Sequence, residues 1–360
     1  MAKKRIFDLP QTKGEFQIRG NASGVLKNNF FTSKKTKNNT DMNLLNFGIK
    51  FDDGQTAYLS LNGMVNKSVY YYNSKEKKTQ EVAWKDRNKA PGEDYKLIGV
   101  NVGLVTTEDE DGNKVNDKKM LVDYDAAKYV SEHLKDDMPI FTRGTLEFDS
   151  YTDKKGEVKR SHKLVPNQIS LCSKDIDFDA EDFKALADFK TTIVFESIEK
   201  EKDDKGKETG RFVVNALHIG YANIVNTTFI VEDSKLAGQM KKGLKAYNAI
   251  EVTGKFQSNM VVEVVEEEDD WGQKSSFDRA NTPRVFEFVI TGAKPATIDR
   301  ETYTEDNIAD ARKAIANKDK VEETYGDKKE TATDDDAWAT PPMMTERTIL
   351  GKLYFAMQND

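Results

Sequence analysis

Cysteine is almost absent from this chain: Cys172 is the only one in 360 residues. An intrachain disulfide framework and a cysteine-based zinc centre are therefore excluded. Histidine is nearly as scarce, and His133, His162 and His218 are too scattered to suggest a His-rich metal centre. No apolar run approaches the roughly 20 residues of a membrane helix, and Met1 to Arg5 leads into no hydrophobic signal region. A reducing, cytoplasmic setting with no membrane partner is the expectation.

Catalytic signatures are missing as well. The chain has no G-x-x-x-x-G-K-[ST], no G-x-G-x-x-G, no H-E-x-x-H and no G-x-S-x-G. Cys172 lies within an alternating strand pattern, which predicts a core position rather than a reactive surface thiol. Asp52 or Asp53 with Glu81 and Lys85 faintly matches a metal-dependent nuclease grouping. With 62 acidic residues, such spacing arises by chance. No cofactor and no catalytic residue is expected.

Charge is unevenly placed. The net charge is −7, yet residues 1 to 100 carry 18 Lys+Arg against 10 Asp+Glu, and residues 320 to 360 carry 5 against 9. A basic N-terminal third thus coexists with an acidic tail, and a polyanionic partner suits one end only. Solubilising lysine-rich loops are the competing explanation.

Hydropathy patterning predicts mainly β structure with few helices. Residues 1–14 form a flexible basic arm in this reading. Glu15 to Leu26 alternates as a first strand, with Phe16 and Ile18 on one face and Gln17 and Arg19 on the other. Lys27 to Asp41 breaks the pattern: Lys27, Lys34, Lys35 and Lys37 surround Phe30 and Phe31, which either fold back on the core or stack on bases. Met42 to Asp52 and Thr56 to Val65 alternate around the turn Asp52-Asp53-Gly54, and Tyr58 falls opposite the aliphatic set. Tyr70 to Lys89 interleaves aromatics and cations, among them Tyr72, Trp84, Lys85 and Arg87.

Asp125 to Lys135 has helical spacing in Ala127, Val130 and Leu134. It leads into a hairpin, Pro139 to Ser173, that alternates through Ile140, Leu146 and Phe148 and turns at Asp153 to Arg160 beside Tyr151 and Lys159. A helix delivering the chain into a closing hairpin is how the five-stranded Greek-key barrel called the OB-fold ends. After an acidic connector, Asp175 to Asp188, the order repeats. Strands are expected at Phe189 to Glu199, Arg211 to Gly220 and Asn226 to Val231. Ser234 caps a helix with Leu236, Met240 and Leu244 on one face, and Asn248 to Asn259 follows as a strand. Gly144 aligns with Gly254 across the two helix-to-strand junctions, an internal repeat in which each glycine marks a sharp strand bend. The expectation is two OB-fold-like Greek-key barrels in tandem, at 15–175 and 189–298. A helix at 303–318 begins at Thr304, and a disordered acidic tail at 319–360 ends in an amphipathic segment.

Two barrel-like units with Lys/aromatic loops, followed by Thr333 to Pro342 (TDDDAWATPP), resemble a bacteriophage-type single-stranded DNA-binding protein with tandem OB-folds. The resemblance implies a protein that coats single-stranded DNA without strong sequence preference during replication, recombination or repair. It further implies an acidic tail, here Asp334, Asp335, Asp336 and Trp338, that shields the basic groove or recruits replication or recombination proteins. In that family the acidic tip closes the chain, whereas here Met343 to Asp360 adds apolar residues. The candidate contacts are Arg19, Lys27, Lys34, Lys35, Lys37, Lys85, Arg87, Lys159 and Arg160 for phosphates. Phe30, Phe31, Tyr58, Tyr72, Trp84, Tyr151 and Trp271 are the candidates for base stacking. Alternatives are a protein-interaction or inhibitory module on the same barrels, a strand-annealing recombinase and a metal-dependent nuclease.

Overall fold

The computed structural model describes residues 5–153, 156–203, 205–260 and 284–325. The chain is mainly β, with three α-helices among these residues.

The first barrel closes through five strands. They are β1 (Gly14–Ser23), β3 (Asp41–Asp52), β4 (Gln55–Met64), β10 (Pro139–Thr152) and β11 (Val158–Leu171), while β2 (Phe31–Lys35) pairs on the outside of β3. The pairing runs β1–β3, β3–β4, β4–β11, β11–β10 and β10–β1, with only β4–β11 parallel. Helix α1 (Asp123–His133) precedes β10 and buries Ala126, Ala127 and Val130. That order, with the helix between the third and fourth barrel strands, is the OB topology.

The second barrel repeats it. Strands β12 (Leu186–Lys202), β13 (Glu208–Ile219), β14 (Ile224–Val231), β15 (Ala249–Met260) and β16 (Arg284–Asp299) close in the same sense, again with one parallel contact, β14–β16. Helix α2 (Ser234–Gly243) stands where α1 stands in the first barrel. Asp233 rather than Ser234 caps it, accepting from the Lys235 and Leu236 amides, because a carboxylate ahead of the first turn reaches both orphan N–H groups.

The predicted repeat is visible in the backbone. Ladder registers shift between Arg143 and Gly144 in β10 and between Thr253 and Gly254 in β15. A Cβ at Gly144 would stand 2.0 Å from the Val165 carbonyl oxygen, and one at Gly254 would stand 2.1 Å from that of Val289. Both positions require glycine for close backbone approach at a bulge.

The barrels share one sheet and one core. Strand β1 pairs antiparallel with β12, from Gly14↔Thr191 to Arg19↔Leu186, and a single cluster of buried apolar side chains runs through both barrels. The long β10–β11 hairpin extends this sharing. Its Phe148 ring lies 5.1 Å from His218, 5.8 Å from Phe229 and 5.1 Å from Phe288, all second-barrel residues.

Two segments depart from expectation. The arm is seated from Arg5 onward: Phe7 and Leu9 are buried with Tyr303, Ile308 and Ala311 of the C-terminal region, because the second barrel offers them an apolar surface. Helix α3 (Glu305–Tyr325) is capped by the Thr304 hydroxyl, which accepts from the Asn307 amide at 3.2 Å, and it runs beyond the predicted end at 318. Cys172 is half-buried just past β11 rather than in the core. Burial raises its pKa, and nearby Arg19 opposes the shift. The acidic tail residues Asp334, Asp335, Asp336 and Trp338, together with Trp271, lie outside the described residues.

A long insertion separates β4 from α1. It folds as a three-stranded sheet, β5 (Ser68–Asn73), β6 (Lys78–Ala83) and β7 (Tyr95–Leu97), then the hairpin β8 (Val100–Glu108) and β9 (Lys114–Leu121), whose β8 pairs parallel with β11.

Candidate nucleic-acid interface

The inner face of β3 and β4 is aliphatic: Leu45, Phe47, Ile49, Ala57, Leu59 and Leu61 are all buried. Strand periodicity therefore turns Tyr58 outward, and it is 62% exposed. Its cross-strand partner is Gly48, which has no side chain to cover the ring. A side chain at Gly48 would crowd the Ser23 hydroxyl, 2.6 Å from the Cβ position.

The loop beside this ring is held from below. Phe30 is a core residue at 7% exposure, and its carbonyl accepts from the Asn46 amide at 2.8 Å. Gly24, at φ 79°, turns the chain, and the Val25 amide donates to Asp136 at 2.9 Å. So fixed, the loop presents Leu26, 91% exposed, and Lys27, whose Nζ lies 5.7 Å from the Tyr58 ring centroid. Lys50, two residues along β3 from Gly48, sits on the same face and meets Asp137 at only 3.5 Å. A flat exposed ring, an apolar tip and two cations together have the chemistry that base stacking and phosphate contact require.

Other predicted contacts are distributed differently. Lys37 is exposed, Lys34 is half-buried and Lys35 pairs with Asp41 at 2.9 Å, all on or beside β2. Phe31 is half-buried against the core. Phe30 is buried, as is Tyr72 at 4%, so neither is placed to stack on a ligand; the apolar surfaces beneath them claim both rings.

Trp84 and Arg87 are structural. The Arg87 guanidinium lies 4.9 Å from the Trp84 ring centroid and donates to both Asp125 oxygens, at 2.6 and 3.2 Å. Those bonds raise its pKa and tie the small sheet to α1. Trp84 also meets Tyr124 edge-on at 6.1 Å, and Lys85 alone of this group is exposed. Arg19 donates to the Lys184 carbonyl at 3.0 Å.

Tyr151, Lys159 and Arg160 are exposed on the hairpin that crosses to the second barrel, and Lys159 is engaged by Glu157 at 2.5 Å within its own turn. Leu26 and Lys50 lie on this face, and sequence reasoning did not single them out. Gly24 is followed by two aliphatics, Val25 and Leu26, and nothing local marks Leu26 rather than Val25 as the exposed one.

Among the described residues no group of three or more His, Cys, Asp or Glu side chains is placed to hold a metal ion. No described helix is long and apolar enough to cross a membrane.

Comparison with known proteins adds four findings. A family model described as YorF matches residues 72–328. Solved structures similar to this chain include wild-type single-stranded DNA binding protein from Thermus aquaticus, at 10% identity and TM-score 0.36 over 79% of this chain and 93% of that one. A deletion mutant of the same Thermus aquaticus protein aligns at 12% identity and TM-score 0.37, over 79% and 94%. No curated protein sequence matches the chain.

Proposed function

We propose that this chain, which belongs to the YorF family, binds single-stranded DNA on the outer face of β3 and β4 of its first barrel. The observation that carries the reading is Tyr58, an exposed tyrosine at the middle of a barrel face with Lys27 beside its ring. Every base has a π-face, so stacking there is indifferent to sequence, and Lys27, Lys34, Lys37 and Lys50 supply phosphate contacts. The protein acts as a binder rather than an enzyme. It coats exposed strands in the cytoplasm during replication, recombination or repair, including those of a bacteriophage. The acidic segment with Asp334, Asp335, Asp336 and Trp338 shields the face or recruits replication or recombination proteins.

Titrating fluorescent oligo-dT at low and high salt tests the reading. Affinity that falls steeply with salt is expected, and Tyr58→Ala is expected to cost roughly 1–3 kcal/mol. Salt-independent or absent binding refutes it. Removing residues after Tyr325 is expected to tighten binding if the tail shields the face.

A second reading, protein–protein interaction, has one observation in its favour. Strand β9 pairs only with β8 among the described strands, and it exposes Val115 and Met120 along its free edge. A complex that survives nuclease treatment, in a chain with no oligo-dT affinity, selects this reading. Cleavage of DNA on adding magnesium or manganese would instead select a nuclease.

A further inference from the structure

Where the β10–β11 hairpin lies against the second barrel, it leaves a cavity of about 220 Å³. Its walls are aromatic: Phe148 and His162 from the hairpin, Phe286 and Phe288 from β16. The His162 imidazole stacks on Phe286 at 4.8 Å and 16°, and it meets Phe288 edge-on at 5.1 Å. Ser161, Thr228 and Arg160 complete the rim.

His162 is the unusual member. It is half-buried, lines the cavity, and makes no hydrogen bond to any described residue. Burial pushes its pKa down to about 4, so at neutral pH the ring offers one donor and one acceptor. Glu287, the carboxylate in the lining, is already held by Arg211 at 2.9 and 3.0 Å, so it does not repel an anion at full strength. The Arg160 side chain is exposed at the mouth and has no ion pair among the described residues.

We propose that this cavity is a pocket for one nucleobase, stacked against its phenylalanine walls with its edge hydrogen-bonded to His162 and its phosphate at Arg160. Size and chemistry select the ligand. Sites for drug-sized molecules run to roughly 300–1,000 Å³, so this one takes a single flat heterocycle and not a dinucleotide. Aromatic walls favour a planar ring, and a neutral imidazole matches the mixed donors and acceptors of a base edge. The pocket is separate from the Tyr58 face. It adds a second base contact to the reading above and can stand without it.

Full-length protein labelled with ¹³C-histidine tests the pocket by NMR, because the chain has only three histidines. Titration with dAMP is expected to shift the His162 signal saturably and to leave His133, on α1, in place. 2-Deoxyribose 5-phosphate is expected to leave His162 unmoved; an equal shift with this probe would overturn the assignment to a base. Thr228→Trp fills the mouth from an exposed rim position and is expected to abolish the dAMP shift. His133 and His218 signals at their wild-type positions would show that the variant folds. The same variant is expected to weaken oligo-dA binding roughly tenfold, whereas Tyr58→Ala leaves the dAMP shift intact. If oligonucleotide binds yet neither it nor dAMP moves His162, the pocket is refuted and the Tyr58 reading survives. If dAMP moves His162 but no oligonucleotide binds, the pocket stands and the strand-binding reading fails.

Discussion

The ring of Phe148 lies 5.1 Å from the ring of His218, so a strand of the first barrel completes the core of the second. Strand β1 meets β12 edge to edge, and the hairpin then carries Phe148 across. The two barrels are therefore packed as one body. Phe148→Ala would remove a side chain that is 5% exposed and touches three second-barrel aromatics. We expect a loss of about 3–5 kcal/mol, the usual range for emptying a buried phenylalanine site. Urea unfolding followed by fluorescence and by circular dichroism should give coincident single transitions, shifted to lower denaturant in the variant. Two separate transitions in the wild type would show that the barrels are independent.

Gly144 and Gly254 should respond alike to substitution. Each faces a carbonyl oxygen across a bulge at about 2 Å from the position a Cβ would take, so alanine forces the backbone apart in either barrel. Gly144→Ala and Gly254→Ala are each expected to destabilise by more than roughly 1 kcal/mol, beyond the reach of ordinary surface changes. Gly112, at the β8–β9 turn, supplies the contrast. Nothing lies within 4 Å of its Cβ position, and its cost comes from its φ of 76° alone. Thermal melts of the three variants would separate steric crowding from backbone strain.

Much of this architecture is legible in the sequence because it rests on periodicity. The alternation of Ile140, Leu146 and Phe148, the helical stripe of α1 and the paired glycines each reflect local geometry that the residues themselves impose. What stays hidden depends on contacts between distant segments. Nothing local distinguishes Phe30, which anchors a loop, from Leu26, which that loop exposes. Trp84 and Arg87 have the composition of a nucleic-acid site, but Asp125, 38 residues later, claims the guanidinium. The arm looks like a flexible basic tail because the surface that receives Phe7 and Leu9 is built by Tyr303, Ile308 and Ala311, nearly 300 residues away.

That arm is fastened by Thr12. Its amide donates to the Ile219 carbonyl at 3.0 Å; its hydroxyl accepts from the Ile219 amide at 3.0 Å and bonds His218 Nδ1 at 2.7 Å. Thr12→Val keeps the shape and removes the hydroxyl, leaving a buried amide and a buried ring nitrogen without that partner. A loss of roughly 1–3 kcal/mol is expected. Thr12→Ser, which restores the hydroxyl, should recover most of it. Hydrogen exchange at the Ile219 amide gives a local readout: faster exchange in the valine variant and near-normal exchange in the serine variant.

His162 sets the direction of the acid response. Its folded pKa of about 4 lies below the ordinary value of 6.5 because burial penalises the imidazolium. Above pH 6.5 the ring is neutral in both folded and unfolded chains and costs nothing. As pH falls from 6.5 toward 4, the unfolded chain takes up a proton that the folded chain refuses, so stability declines across that window. It levels off once the folded form protonates as well. The difference in pKa corresponds to roughly 3 kcal/mol. Replacing the ring with a neutral one of similar shape, His162→Phe, removes this contribution while keeping the stack on Phe286. Urea midpoints measured between pH 7 and pH 4 should fall less steeply for His162→Phe than for the wild type. Equal slopes would mean that the cavity admits enough water to solvate the charged ring, in which case the folded pKa of His162 stays near its ordinary value.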